Sequence, residues 1–222
     1  MKKSEKIFSE IRFNGQLSII EDIGKVVRFY YPKYFPHWRI ENNTTIKIYN
    51  NENLSLATEV ILIDHSKFVY STEYQPTSNY FQDKLLSYYK LIDRILETNQ
   101  VVRIGVRSIT LIEQESKQFT IDRYNSINNS DFVSDFESKP TDYYHIYTFE
   151  NQRITFGPLA KNEANQYQTE FNDKSNYTEN MFLYDIDNFR QTTLRKDVPK
   201  TIEKVISENR KTAEIIEKRF RY

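Results

Sequence analysis

The sequence predicts an α+β protein, in which two long amphipathic helices and a shorter N-terminal helix pack on a mostly antiparallel sheet. Two observations lead to this class. Most strand-like segments follow one another through short turns, which is typical of antiparallel pairing. The helical segments, at about 17–31, 78–98 and 199–220, each carry one apolar stripe that has to be buried against another element.

The N-terminal part of the chain predicts one strand and the shorter helix. Residues 5–13 alternate imperfectly between apolar and polar side chains, which indicates a strand. Apolar residues then recur at helical spacing over 17–31. Pro32 ends this helix, and Pro36 predicts an irregular segment in which Trp38 caps the edge of the core.

The next part of the chain predicts three strands, a long helix and a further strand. Strands are expected at 44–49, 58–64 and 67–73, with the last two forming a hairpin. A regular apolar stripe predicts the helix at 78–98, and the strand 101–113 follows it directly.

The second half begins with a polar, turn-rich stretch at 114–142, which we interpret as an excursion with a short helix near 130–137. Four strands and the closing helix follow it, at 143–149, 152–156, 166–172, 179–190 and 199–220. We expect a single domain spanning 1–222, with a subdivision near 114–142 as the alternative.

Composition excludes several classes of protein. The 31 basic residues equal the 31 acidic ones, which argues against bulk attraction to nucleic acid or membranes. The absence of cysteine excludes disulfides and thiolate metal sites, and it fits a cytoplasmic location. No signal peptide is recognised, and no apolar run approaches ~18 residues, so we expect no membrane span.

The common enzyme motifs are missing from the sequence. Neither GxGxxG nor GxxxxGK[ST] occurs among the four glycines. The three histidines show no HExxH spacing, and there is no GxSxG elbow. These observations favour a protein that is not an enzyme and that binds neither a cofactor nor a metal.

The strand 101–113 carries the candidate site. Side chains two residues apart lie on the same face of a strand, so Val102, Ile104 and Val106 share one face, and Arg103 and Arg107 share the other. An arginine on a half-buried face requires a partner. Asp185 and Asp187, which have the same spacing in the strand 179–190, are the expected partners.

Three interpretations of this constellation remain open. The arginines and aspartates can pair with one another and specify strand register. Arg103 and Arg107 can bind a phosphate or carboxylate through bidentate hydrogen bonds. Asp185 and Asp187, together with Glu113 or Glu170, can form a metal site, although hard cations usually require more oxygen ligands than this.

The end of the closing helix carries a second candidate site. Lys211, Lys218, Arg219 and Arg221 form a basic patch that would suit nucleic-acid phosphates or an acidic partner. Alternatively, they form a solvated helix face, with cations favourably placed near the C-terminus of the helix.

Three short segments carry a resemblance to a known family: EIRF at 10–13, RIGVRSITLI at 103–112 and LYDID at 183–187. With the closing helix, they resemble a divergent, sporadically distributed family of prokaryotic proteins that usually has an RxGLRYxNRI-like strand and an LDID-like strand. The chain departs from this pattern at Thr110 and Leu111, where the family carries Asn and Arg, and its closing helix lacks the family's histidine. The resemblance implies the α+β architecture, and its patchy distribution implies a mobile-element or defence context.

We therefore expect a cytoplasmic interaction protein that docks a protein partner. One alternative is a nucleic-acid-binding protein that uses the basic end of the closing helix. Another is an enzyme or sensor that binds an anionic small molecule at Arg103 and Arg107. The sequence makes no prediction about homo-oligomers.

Overall fold

The computed structural model describes residues 3–116, 118–122, 145–158, 171 and 180–220 of this chain. In these residues the predicted α+β class is confirmed, because one antiparallel sheet is covered on one face by helices. The nine strands are, in chain order, β1 (Lys3–Phe13), β2 (His37–Glu41), β3 (Thr45–Tyr49), β4 (Glu59–Asp64), β5 (Lys67–Thr72), β6 (Gln100–Glu113), β7 (His145–Phe149), β8 (Gln152–Pro158) and β9 (Met181–Leu194).

The strands lie in the order β2-β3-β4-β5-β1-β6-β9-β8-β7, and every neighbouring pair is antiparallel. The N-terminal strand β1 lies between β5 and β6, and β6 lies between β1 and β9. These three long strands, β1, β6 and β9, run side by side in the middle of the sheet and carry the candidate site.

The principal helices are α1 (Leu17–Glu21), α2 (Ile23–Tyr30), α3 (Tyr80–Asp93) and α4 (Val198–Phe220). Short 3-10 turns form at Leu54–Leu56 and Arg195–Asp197, and residues 118–122 are also helical. No helix in the described part of the chain is long and apolar enough to cross a membrane.

The main core lies between the helices and one face of the sheet. Ile11 of β1 and Ile104 of β6 are fully buried there beneath the apolar faces of α3 and α4. Aromatic rings fill much of this core, and the Tyr70 ring stacks on Phe81 with centroids 5.4 Å apart. Each such side chain stabilises the fold by about 1.5–3 kcal/mol, so this face holds the sheet together.

Helix α4 is fixed to the centre of the sheet by Asn209. Its buried side-chain amide donates to the carbonyls of Ile186 in β9, at 2.9 Å, and Val106 in β6, at 3.3 Å. Its oxygen accepts a 2.7 Å hydrogen bond from Ser108. One helical side chain therefore ties β6 to β9 on the covered face, directly behind the candidate site.

The structure corrects three expectations for the N-terminal region and β6. The single helix predicted over 17–31 is wrong, because the chain breaks at Asp22 into α1 and α2, and Leu17 is exposed. The segment after Pro36 is not irregular: it forms the edge strand β2, and its Trp38 is exposed.

Val102 is exposed and does not share a buried face with Ile104 and Val106. The β1–β6 register shifts at Arg12/Phe13, so that Phe13 pairs with Val101 and Val102 is the extra residue of a bulge. Val101 takes the buried position in its place.

The remaining elements agree with the sequence to within a few residues. The helix expected at 78–98 spans Tyr80–Asp93, and the one expected at 199–220 spans Val198–Phe220. The helix expected near 130–137, and all but residue 171 of the strand expected at 166–172, lie outside the described residues. The assignment of 1–222 to one domain stays a prediction.

Candidate functional site

The candidate site lies on the sheet face opposite the helices, which we call the open face. Strand alternation places Arg103 and Arg107 there, because Ile104 and Val106 of the same strand are buried under the helices. The neighbouring strands β1 and β9 present Glu10 and Asp187 on the same face, opposite Gly105 and Arg107 respectively.

Arg107 binds Asp185 through two hydrogen bonds. Its Nε donates to Oδ1 at 2.7 Å and its Nη2 donates to Oδ2 at 2.6 Å. The residue directly opposite Arg107 in β9 is Asp187, so this bidentate pair is diagonal. The Arg107 guanidinium also lies 5.5 Å from the centre of the Phe8 ring. Two strands thus hold this arginine in one orientation.

Arg103 bridges two strands. Its Nη2 donates to Oδ2 of Asp187 in β9 at 3.1 Å, and its Nη1 donates to Oε1 of Glu10 in β1 at 3.2 Å. Its guanidinium lies 4.9 Å from the centre of the Phe189 ring. Glu10 also accepts a 2.6 Å hydrogen bond from Arg12, so the network extends across three strands.

Electrostatics distinguish the two aspartates. The pKa of Asp187 is raised above its ordinary value of 3.8 because burial disfavours the charged carboxylate. Arg103 and Arg107 oppose this rise, and the neighbouring Asp185 adds to it. Two guanidiniums therefore do not fully offset the desolvation of Asp187, whose pair with Arg103 is single and longer than the pair of Asp185 with Arg107.

The ion pairs of the open face show a layering of charge: in several of them the cationic side chain is more exposed than the carboxylate side chain. Side-chain exposure is 54% for Arg12 against 19% for Glu10, and 30% for Arg107 against 10% for Asp185. At the β2 edge it is 50% for Arg39 against 27% for Glu41. Three pairs, Arg103–Asp187, Arg103–Glu10 and Lys47–Glu41, are exposed about equally. Solvent at this face thus meets arginine side chains more than carboxylate side chains.

An apolar cluster borders the site on the same face. Ile109 and Leu111 continue β6 beyond Arg107, and Leu183 lies beside them in β9. Phe171 packs against this cluster, and Phe8 connects it to Arg107. The charged network is therefore bounded at one end by buried apolar side chains.

The structure brings Arg103, Arg107, Asp185 and Asp187 together in one network. It places Lys211, Lys218 and Arg219 elsewhere, exposed on α4 on the helical side of the sheet. Glu170 and Arg221 lie outside the described residues. No cluster of three or more metal-ligating His, Asp or Glu side chains occurs in the described part of the chain.

Sequence reasoning missed the contribution of β1 to the site. Glu10 completes the Arg103 network, and Phe8 lies beside the Arg107 guanidinium. The two-residue spacing of Phe8, Glu10 and Arg12 was visible in the sequence. Their proximity to β6 was not, because about ninety residues separate the partners, as in the Glu10–Arg103 pair with its separation of 93.

The chain matches no protein-family model and no curated protein sequence. The resemblance carried by RIGVRSITLI and LYDID therefore stays a prediction. In the structure those two segments lie in the adjacent strands β6 and β9, which carry the arginine–aspartate network.

Proposed function

We propose that this chain is a cytoplasmic interaction protein whose open face docks an acidic segment of a protein partner. The observation that supports the proposal is the layering of charge, in which the side chains of Arg12, Arg39 and Arg107 are more exposed than the carboxylates they pair with. A partner that approaches this face meets cationic, planar groups first.

The arginines are suited to a protein interface. Arg107 and Arg103 lie near the rings of Phe8 and Phe189, and each is held by carboxylates. Arginine and aromatic side chains are enriched among the residues that dominate binding energy at interfaces. Side chains held in place before binding lose less conformational entropy when a partner docks, which favours affinity.

The same contacts make other ligands for this face less favourable. Asp185 already occupies the Nε and Nη2 donors of Arg107, so a small anion would have to displace it. A nucleic-acid backbone would bring phosphates close to Asp185, Asp187 and Glu10. A protein segment can place carboxylates on the exposed arginines and keep other groups over the acidic positions.

The test uses a fluorescently labelled glutamate–tyrosine copolymer as the acidic probe and a lysine–tyrosine copolymer as its control. We expect the acidic copolymer to bind and the basic one not to bind. Arg12 and Arg153 are both exposed on the open face, where Arg153 of β8 lies opposite Asp187 of β9. Arg12→Glu and Arg153→Glu should weaken binding about tenfold each, a typical effect of charge reversal at an interface.

Lys204→Glu is the matched control variant, because it reverses an exposed cation on α4, away from the open face. It should leave binding unchanged. Equal weakening by Lys204→Glu would show a net-charge effect only and would contradict docking at the open face. Binding of neither copolymer would remove the acidic-partner proposal.

A specific observation favours nucleic-acid binding as the second candidate function. Four exposed lysines of α4 fall within about 40° around the helix axis and form a ridge about 27 Å long. They are Lys200, Lys204, Lys211 and Lys218. A linear row of cations fits a phosphate backbone better than a scattered solvated face does.

Fluorescence anisotropy with a labelled DNA duplex and a labelled single-stranded RNA tests this candidate. The ridge predicts binding at low salt that weakens steeply as salt rises, and Lys204→Glu with Lys211→Glu should abolish it. Arg12→Glu should leave it intact. Absence of binding to both probes at low salt would exclude the lysine ridge as a nucleic-acid site.

A further inference from the structure

The edge strand β2 exposes apolar side chains to solvent. Trp38 is 44% exposed and Ile40 is 41% exposed, and both lie on the helical side of the sheet because they pair with the buried residues Ile48 and Ile46. The ring of Tyr31, also exposed, packs edge-on against Trp38 with centroids 6.5 Å apart. The exposed side chains of Tyr31, Trp38 and Ile40 thus form an apolar patch beside the outermost strand of the sheet.

The outer backbone edge of β2 lacks several of the usual protections against pairing. β2 is the terminal strand of the sheet order and pairs only with β3 within the described residues. Its sequence, His37–Glu41, contains neither proline nor lysine, two residues that commonly block an edge, and no bulge interrupts its pairing with β3. Its charged residues, Arg39 and Glu41, have opposite signs and lie two apart on one face.

We infer that two copies of this chain pair through β2, antiparallel and about a twofold axis at Ile40. In this arrangement Arg39 lies opposite Glu41 of the partner subunit, and Glu41 lies opposite Arg39 of the partner subunit. Ile40 meets Ile40 of the partner subunit on the helical side. Opposite charges directly across an antiparallel pair stabilise it, and like charges destabilise it.

The other registers of this strand with itself are less favourable. An axis at Arg39 would place two arginines opposite each other, and an axis at Glu41 would place two glutamates opposite each other. An axis at Trp38 would place Arg39 opposite His37, so no opposite charges would face each other across the pair. The pairing of opposite charges thus favours Ile40 as the centre.

The charged groups of this edge lie close to one another. Glu41 forms ion pairs with Arg39 of its own strand and with Lys47 of β3, the latter at 2.8 Å. The hydrogen bond from Lys47 is the largest cause of the lowered pKa of Glu41. Pairing of two copies would allow Arg39 to exchange its neighbour in the same strand for the equivalent carboxylate across the interface.

Such a dimer has a geometric consequence for the open face. An antiparallel pair in a continuous sheet is related by an axis perpendicular to the sheet, so both open faces lie on the same side. The β6 strands would then be about 50 Å apart along the sheet, given a strand spacing of about 4.8 Å. With two charged networks on the same surface, a partner that carries two acidic segments could bind both copies at once and so gain avidity.

Sedimentation and light scattering over a range of concentrations test the inference with the full chain. The wild-type protein should dimerise, and Arg39→Glu or Glu41→Arg alone should shift it to monomer at the same concentration. The double variant Arg39→Glu/Glu41→Arg should dimerise again, because it restores opposite charges across the axis. In the double variant, the glutamate introduced at position 39 also lies opposite Lys47 of β3, so opposite charges face each other across that strand pair as well.

Trp38 supplies an independent readout, because it is the sole tryptophan of the sequence. Its emission should shift to the blue as wild-type protein is concentrated and should stay unchanged for the single variants. Circular dichroism verifies that each variant is folded. A wild-type monomer at all concentrations would overturn the inference. A dimer that survives both single reversals, or a double variant that stays monomeric, would also overturn it.

Discussion

Arg103 lies over the backbone of Gly105, so that a β-carbon added at position 105 would come within 2.9 Å of the arginine Nη1. The missing side chain leaves room for the guanidinium close to the sheet, where it contacts both Glu10 and Asp187. Gly105 thus contributes to the open face by leaving space for the Arg103 guanidinium.

Gly105→Ala should displace the Arg103 guanidinium without changing the charge of the protein. The partly exposed ion pairs that are lost contribute about 0–1 kcal/mol each, and the alanine offsets part of this by restricting the unfolded chain. We expect the free energy of urea unfolding to change by less than about 1 kcal/mol, while affinity for the acidic copolymer falls severalfold. Unchanged affinity would show that Arg103 takes no part in docking.

The two aspartates should differ in their contribution to stability. Asp185→Asn removes the negative charge and replaces one of the two oxygens that accept from Arg107 with an NH2 group, which cannot accept, so it should cost about 2 kcal/mol in chemical denaturation. Asp187→Asn removes the charge from a single, longer contact with Arg103 and relieves an unfavourable desolvation, so it should cost clearly less. Equal losses for the two variants would contradict the asymmetry of the network.

Asp187 should also give stability a distinctive dependence on pH. Because its pKa is raised by burial above 3.8, the folded state holds this proton more tightly than the unfolded chain does. Its stabilising contribution is complete below the unfolded pKa and is lost as pH rises through the folded pKa. The unfolding free energy of the wild type minus that of Asp187→Asn should therefore fall as the pH rises upward from the unfolded-state pKa of about 3.9. A difference that rises over this interval would reverse the assigned direction.

Asn209→Leu should be strongly destabilising even though leucine has a similar size. It removes hydrogen bonds to Val106, Ile186 and Ser108 in a buried position and leaves the serine hydroxyl without that acceptor. We expect a loss of about 2–4 kcal/mol in thermal or urea unfolding. Ser207→Ala, on the exposed side of the same helix, is the matched control and should change stability little.

The sequence predicted the features that depend on local periodicity. Two-residue spacing placed Arg103 with Arg107 and Asp185 with Asp187, and the structure brings the two pairs together. The diagonal choice of Asp185 by Arg107 could not be predicted, because it depends on strand register and side-chain reach. The exposure of Val102 escaped prediction for a related reason, since the bulge is defined by pairing with a distant strand.

The errors in the N-terminal region have a different origin. Leu17 and Ile20 fit a helical stripe with Ile23 and Val27, yet both are exposed and the chain breaks at Asp22. Propensity and spacing do not show where a helix meets the sheet. β2 was missed because Pro36 suggested an irregular segment. In the structure the Asn42-Asn43 turn reverses the chain, and the following strand β3 pairs with β2.

The position of β1 constrains the order in which the protein can assemble during synthesis. β1 leaves the ribosome well before β6, and its residue Lys3 pairs with Ile112. Until β6 has been made, β1 has one permanent neighbour, β5, and its other edge is open to wrong partners. β6 in turn waits for β9, and α4 can lock β6 to β9 only after both strands have been made. The central strands thus stay incomplete until α4 has been synthesised, and binding by chaperones in that period would protect them from aggregation.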